Sequence, residues 1–288
     1  MQIVLLGSLG MKPLNFNGMP VTELSGIAWD NDEQLLYAIS DEGLLYHLKL
    51  TIKNNQLENM QVVFAARLRD KNNKRLGKKY SDAEGLSLLH SHNGKKGDSK
   101  LIISFEGKPR IAYYTSTGKF LAKVDIPKNL KHKKYYRNKN KALESVTLHP
   151  QYGIMTAAEF PLKKDAKNYQ TVYSASGKKW HFPASDAENS AITGMETLPN
   201  GDLLILERAW KNKFTPIVIN LRQLFLNDCN DKQECKTRKI ASLSGADGWY
   251  LDNFEGLAHY KNNQYLMISD NNQHPLQNTV LVLFKVKL

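Results

Sequence analysis

Residues Glu23–Gly43 read ELSGIAWDNDEQLLYAISDEG, and this phrase decides the fold. Ser25-Gly26 opens an apolar run that ends at Asp30. A polar turn, Asn31–Gln34, follows. A second apolar run, Leu35–Ile39, then ends in Ser40 and the acidic Asp41. Two short apolar runs joined by turn residues are a β-hairpin signature. The phrase returns four more times. Glu84-Gly85-Leu86 is answered by KLIISFEG ending at Glu106, and Glu144-Ser145-Val146 by GIMTAAEF with Glu159. Thr193-Gly194-Met195 is answered by DLLILERA with Glu207, and Glu255-Gly256-Leu257 by QYLMISDN with Asp270. The copies start 59, 60, 49 and 62 residues apart. A recurring period of this size is the mark of a repeat architecture.

Working outward, each repeat resolves into about four short strands. In the first they are GIAWD, LLYAIS, LLYHLKL and QVVFAARL. Turn residues such as Ser116-Thr117-Gly118 and Pro199-Asn200-Gly201 punctuate them. Leu221–Leu226 (LRQLFL) carries the one weak helix signal. The fifth repeat supplies only three strands, and the N-terminal IVLLGSL is one strand left over. Giving that strand to the last repeat closes a ring. The expected fold is therefore all-β, a β-propeller of four-stranded blades in a single domain over residues 1–288. Five blades follow from the count. Six would need a further sheet within residues 66–82 or 128–142. A parallel α/β fold is disfavoured because no amphipathic helices alternate with the strands.

Composition is that of an ordinary globular chain, 41% hydrophobic and 24% charged. No apolar run is long enough to span a membrane as a helix. The start, MQIVLLGSLGM, reads as a strand rather than an intact signal peptide. The net charge of +12 reads first as a solvated basic surface. Its lysines cluster in Lys71–Lys79 (KNNKRLGKK) and Lys128–Lys141 (KNLKHKKYYRNKNK), segments that can attract phosphates, nucleic acid or anionic lipid. Neither carries a sequence-specific nucleic-acid motif. Cys229 and Cys235, the two cysteines, have no histidine near them in sequence to complete a zinc site. A local disulfide is the simpler reading and would place the chain in an oxidising compartment; two free thiols in a cytosolic protein are the alternative. The expected location is the periplasm or outside the cell, with the signal peptide absent from this sequence.

The repeats also imply a site. In a propeller the first strand of each blade lines the central channel, and the second runs antiparallel beside it. Ser25, Glu84, Glu144, Thr193 and Glu255 then form an inner ring at one mouth, with Asp41, Glu106, Glu159, Glu207 and Asp270 just outside it. Carboxylates held that close repel one another and raise one another's pKa unless a cation neutralises them. Hard oxygen ligands suit Ca²⁺, or Mg²⁺ or another divalent ion. The candidate metal ligands are Glu84, Glu106, Glu144, Glu159, Glu255 and Asp270. Blade-to-blade hydrogen bonding is the structural alternative for each of them. Arg208 and Arg110 could clamp an anion, and Glu207 could act as general base. The tail Ser269–His274 adds oxygen and amide groups. No G-x-S-x-G elbow, P-loop or dinucleotide glycine pattern is present.

The segments ELSGIAWD…LYAISDEG, DAEGLSLL…LIISFEGKPRI, ITGMETLPNGDLLILERAW and NFEGLAHY…YLMISDNN resemble the phytase-like family of bacterial proteins, also described as esterase-like activity of phytase. The resemblance runs from about Glu23 to the C-terminus. It implies an exported propeller that hydrolyses a phosphate or carboxylic ester. Glu144-Ser145, where E-G is usual, and the basic segment Lys128–Lys141 depart from the pattern. The first functional expectation is a monomeric, metal-assisted hydrolase of a small anionic or phosphorylated substrate. The alternatives are a non-catalytic binding propeller of the cell envelope and a lactonase-like propeller enzyme with one divalent ion at the channel mouth.

Overall fold

The computed structural model describes residues 3–12, 14–138, 140–210, 212, 215–244, 253–271 and 278–287. Five antiparallel four-stranded sheets form the blades, with a small hairpin, Leu14–Phe16 and Met19–Val21, beside them. Blade 1 runs Leu24–Asp30, Leu35–Ser40, Leu44–Lys53 and Gln56–Arg67; blade 2 runs Ala83–Leu89, Lys100–Phe105, Arg110–Thr115 and Phe120–Val124. Blade 3 comprises Leu143–His149, Gly153–Ala158, Tyr169–Ser174 and Lys179–Pro183. Blade 4 comprises Ser190–Thr197, Leu203–Ala209, Val218–Cys229 and Cys235–Ser244. Blade 5 takes Asn253–Lys261, Gln264–Asp270 and Thr279–Val286, and its outer strand is the N-terminal Ile3–Met11, antiparallel to Thr279–Val286. The innermost strand of each blade touches that of the next, and blade 5 returns to blade 1. The ring thus has five blades, and the N-terminal strand closes it.

The core is divided among the blade interfaces. Alternate residues of a strand face opposite sides of its sheet. Leu101 and Ile103 accordingly pack toward blade 1 with Ile39 and Leu45, while Ile102 packs toward blade 3 with Val146 and Ile154. Leu203 and Ile205 face blade 3; Leu204 and Leu206 face blade 5. The fifth cluster joins Leu36 and Leu48 to Leu266 and Leu281 across the closure. Because both faces are covered, second strands such as Lys100–Phe105 read as continuous apolar runs rather than strict alternation.

One local expectation is corrected. Leu221–Leu226 is not helical but lies within the strand Val218–Cys229. Two long neighbours hold it extended, and Arg222 and Gln223 are tied to Glu207 and Asp202 of the adjacent strand and turn. Among the described residues, 66–82 and 128–142 add no further sheet; they hold one helical turn, Lys78–Ser81, and two 3-10 turns, Lys128–Leu130 and Lys133–Tyr135. No helix among the described residues is long and apolar enough to cross a membrane. Cys229 and Cys235 face each other across the blade 4 outer hairpin and are disulfide-bonded.

Candidate functional site

Every blade carries the same irregularity at the same place. The pairing of its first two strands slips between Leu24 and Gly26, Ala83 and Leu86, Leu143 and Ser145, Ile192 and Gly194, and Phe254 and Gly256. Such a bulge inserts a residue and re-aims a side chain. The residues that fall there include Ser25, Glu84, Glu144, Thr193 and Glu255. The next position makes the inner ring close. A Cβ on Gly26 would lie 2.5 Å from the Glu84 carbonyl oxygen, and one on Gly85 would lie 2.6 Å from the Val146 nitrogen. The E-G pair is therefore a carboxylate at the channel mouth followed by a blade-to-blade contact that a side chain would obstruct.

These bulges border a cavity of about 390 Å³. Eight carboxylates line it: Asp41, Asp82, Glu84, Glu106, Glu144, Glu159, Glu255 and Asp270, together with Ser25, Asn140, Lys141, Arg208 and Asn253. All six expected metal ligands are present. Thr193 lies deeper, where its hydroxyl donates to the Phe254 carbonyl at 2.9 Å. Asp82 is a member that the repeat reading passed over. It lies just before the strand Ala83–Leu89, at the end of the helical turn Lys78–Ser81, and that turn brings its carboxylate beside Glu84 and Glu106. Of the tail Ser269–His274, Asn272, Gln273 and His274 lie outside the described residues.

Glu207 is elsewhere. It pairs with Ile192 just before the bulge, and its carboxylate is fully buried against Arg222, with Oε1 3.1 Å from Nη1. Burial raises its pKa, with Arg222 pulling the other way. The position equivalent to Asp41, Glu106, Glu159 and Asp270 belongs to Arg208, which lies opposite Ala191 as Asp270 lies opposite Asn253. Arg110 also stands outside the mouth. Its guanidinium lies 3.6 Å from the Phe105 ring centroid and donates to the carbonyls of Tyr80 at 2.5 Å and Lys108 at 3.1 Å.

The cavity has two electrostatic halves. On the side of blades 3 to 5, Arg208 donates to Glu255 at 2.9 Å and approaches Glu159 at 3.5 Å, while Lys141 reaches Glu159 at 2.5 Å. On the side of blades 1 and 2, Asp82, Glu84 and Glu106 present oxygens that all lie within 4.8 Å of one another. Among the described residues, no lysine or arginine nitrogen lies within 4.0 Å of these three, of Asp41 or of Glu144.

The pKa values respond to this crowding. Burial, then Asp82 and Glu159, pushes Glu106 up to about 8. Burial with neighbouring Glu23 and Asp270 pushes Asp41 to about 8. Glu255 rises to about 7 through burial even though Arg208 opposes the shift. Glu84 and Glu144 are raised well above the usual carboxylate range by burial and the acidic groups around them. Glu144 Oε2 and Asp41 Oδ1 are buried without a hydrogen-bond partner. Asp82, Glu84 and Glu106, with these unpartnered oxygens in the same cavity, are a group of oxygen ligands that could hold a metal ion.

Comparison with known proteins adds the lineage. The chain is similar in structure to the PQQ-bound form of aldose sugar dehydrogenase from Streptomyces coelicolor, with 9% identity, a TM-score of 0.49 and coverage of 99% of this chain and 98% of that one. It is similar also to the β-propeller domain of Cps50 (Swd1) from Myceliophteria thermophila, with 9% identity, a TM-score of 0.44 and coverage of 97% and 100%. The Dos1 propeller aligns at 12% identity and a TM-score of 0.41, covering 94% of this chain and 69% of that one. No curated protein matches the sequence. Residues 19–273 match the family described as phytase-like, esterase-like activity of phytase, and the chain belongs to that family.

Proposed function

We propose that the acidic mouth is the active centre of a metal-assisted hydrolase acting on phosphoesters or related esters. The observation that carries this is the triad Asp82, Glu84 and Glu106, buried or nearly so, with its oxygens within 4.8 Å and, among the described residues, no ion pair within 4.0 Å; Lys133, Lys141 and Arg110 act on it only from farther away. The family's description, esterase-like activity of phytase, supports the ester class. A divalent ion such as Ca²⁺ held by the triad would supply Lewis acidity and offset the negative charge of a phosphoryl group. Arg208, fixed by Glu255 and Glu159, presents cationic charge to the opposite side of the substrate. Asp41, pushed up to about 8 on the wall beside Asp82, would take a proton from an attacking water once ionised, so turnover should rise toward alkaline pH. Glu207 and Arg110 do not line the cavity, and this reading gives them no part in the reaction.

The test uses metal-stripped protein with p-nitrophenyl phosphate and p-nitrophenyl acetate. Turnover is expected with added Ca²⁺ or Mg²⁺, to vanish with EDTA, and to fall roughly 10²-fold or more in Asp41→Asn. Glu84→Gln should abolish the metal response. Turnover indifferent to both EDTA and Glu84→Gln would overturn the proposal.

A second reading has one observation in its favour. Arg208 and Lys141 link carboxylates of blades 3 and 5, as ties in a non-catalytic binding propeller would. It predicts that Glu159→Gln and Arg208→Gln lower the melting temperature of a protein with no turnover on any ester. The Cys229–Cys235 bridge supports placing the protein in an oxidising compartment such as the periplasm. A fusion of the full precursor to a periplasm-dependent reporter tests that placement; activity confined to the cytoplasm would refute it.

A further inference from the structure

The two lysine-rich segments do not spread over the surface. Lys71 and Arg75 of the first meet Lys131 of the second on one side of blade 2, where they border a second cavity of about 660 Å³. Six cationic side chains border it: Lys71, Arg75, Lys108, Arg110, Lys123 and Lys131. Two carboxylates share the lining, and both are already committed. Asp125 is 2.5 Å from Lys131, and Asp70 accepts the backbone N–H groups of Asn72 and Lys74. The walls between the charges are apolar, from Leu76, Tyr114, Phe120 and Ile126, with the exposed ring of Tyr80 at the edge.

Arg110 is the group that asks for a ligand. It is partly buried, and burial lowers its pKa. Among the described residues no carboxylate lies within 4.0 Å of its guanidinium. Backbone carbonyls and the Phe105 ring hold it in place instead. Tyr114 also hydrogen-bonds it, and Asp82 acts on it only from beyond ion-pair distance, so an anion in the cavity would stabilise this partly desolvated cation. Its fork is fixed in advance, so little side-chain entropy is lost on binding. Lysines placed around a fixed arginine suit a multiply charged group rather than a single carboxylate. The volume is that of a small-molecule site.

We propose that this cleft binds a phosphorylated small molecule carrying a flat apolar group, of the nucleotide class. The phosphates would lie between Arg110, Lys108 and Lys123, with the ring against Phe120 and Tyr80. The cleft shares no lining residue with the acidic mouth, although Asp82 of the mouth and Arg110 act on each other electrostatically.

Calorimetric titration with ATP and with inorganic tripolyphosphate, in EDTA so that the mouth holds no metal, tests it. Micromolar binding of ATP is expected, with weaker binding of tripolyphosphate. The exposed triple variant Lys71→Glu/Lys108→Glu/Lys123→Glu should lose at least about tenfold in affinity, equivalent to about 1.4 kcal/mol, at unchanged melting temperature. A charge-matched variant away from the cleft, Lys49→Glu/Lys53→Glu/Lys236→Glu, should keep wild-type affinity. Equal losses in the two triples, binding that Glu84→Gln removes, or no binding of ATP would each overturn the site. Tripolyphosphate binding as tightly as ATP would overturn the ring-bearing class.

Discussion

At the scale of single residues the instructive pair is Glu207 and Arg208. The repeat L-E-R invites Glu207 into the acidic ring. In a strand, one residue of offset sends a side chain to the other face. The ladder shows the true equivalence: Glu207 opposite Ile192 corresponds to Ser40, Phe105, Ala158 and Ser269, and Arg208 takes the acidic position. Composition at the strand end did not reveal this, because blade 4 carries an acidic residue one place early. Two consequences separate the roles. Glu207→Ala leaves Arg222 buried without its carboxylate and should lower stability by about 3 kcal/mol in urea unfolding. Its effect on divalent-ion affinity should be negligible. Arg208→Gln removes the cation facing Glu255 and Glu159, so calorimetry should find the mouth binding a divalent ion more tightly. An Arg208→Gln variant with weakened ion binding would show that Arg208 organises the ligands rather than competing with the ion.

At the scale of elements, the E-G-L phrase was legible as a repeat, and the strand count, ring closure and five blades followed from it. What the phrase is for became clear only with the register. The bulge aims the acidic residue, and the glycine lets the neighbouring inner strand approach. Gly26→Ala and Gly85→Ala should therefore each cost about 1–3 kcal/mol or more by overpacking, since the new Cβ meets backbone of the next blade in both, and at Gly85 the Ser104 hydroxyl as well. Gly10→Ala, with nothing within 4 Å of its Cβ, is the control and should melt like wild type. Equal melting of Gly26→Ala would mean that the inner ring is looser than these contacts require. Other features were out of reach for the same reason. Lys141 reaches Glu159 from an irregular segment, and the two basic clusters, Lys71–Lys79 and Lys128–Lys141, are far apart in sequence. Periodicity carries no information about where such insertions fold. LRQLFL illustrates the converse, a short helix-like pattern overruled by its partners in the sheet.

For the molecule as a whole, the ring gathers carboxylates from four of its five blades into one cavity. Folding without a cation therefore works against their ionisation. Asp41 and Glu106 sit near pKa 8 and Glu255 near 7, all above their ordinary values of 3.8 and 4.5. The folded state keeps protons that the unfolded chain releases. The resulting contribution is complete below the unfolded values and is lost as pH rises through about 7 to 8. Metal-free protein should accordingly melt at progressively lower temperature between mildly acidic and mildly alkaline pH. A divalent ion reverses the balance, because it favours the ionised carboxylates and binds only the folded ring. Its stabilisation grows with concentration over Kd, reaching about 4 kcal/mol at a thousandfold excess. Millimolar Ca²⁺ should thus raise the melting temperature strongly at alkaline pH, where the ligands are free of protons, and little at acidic pH, where protons compete. Glu84→Gln/Glu106→Gln should flatten both effects, being neutral at every pH and a poor ligand pair. A metal-free melting curve that does not move with pH, or a Ca²⁺ effect of the same size at both ends, would show that the carboxylates are neutralised within the protein, and the mouth would then be a set of blade ties.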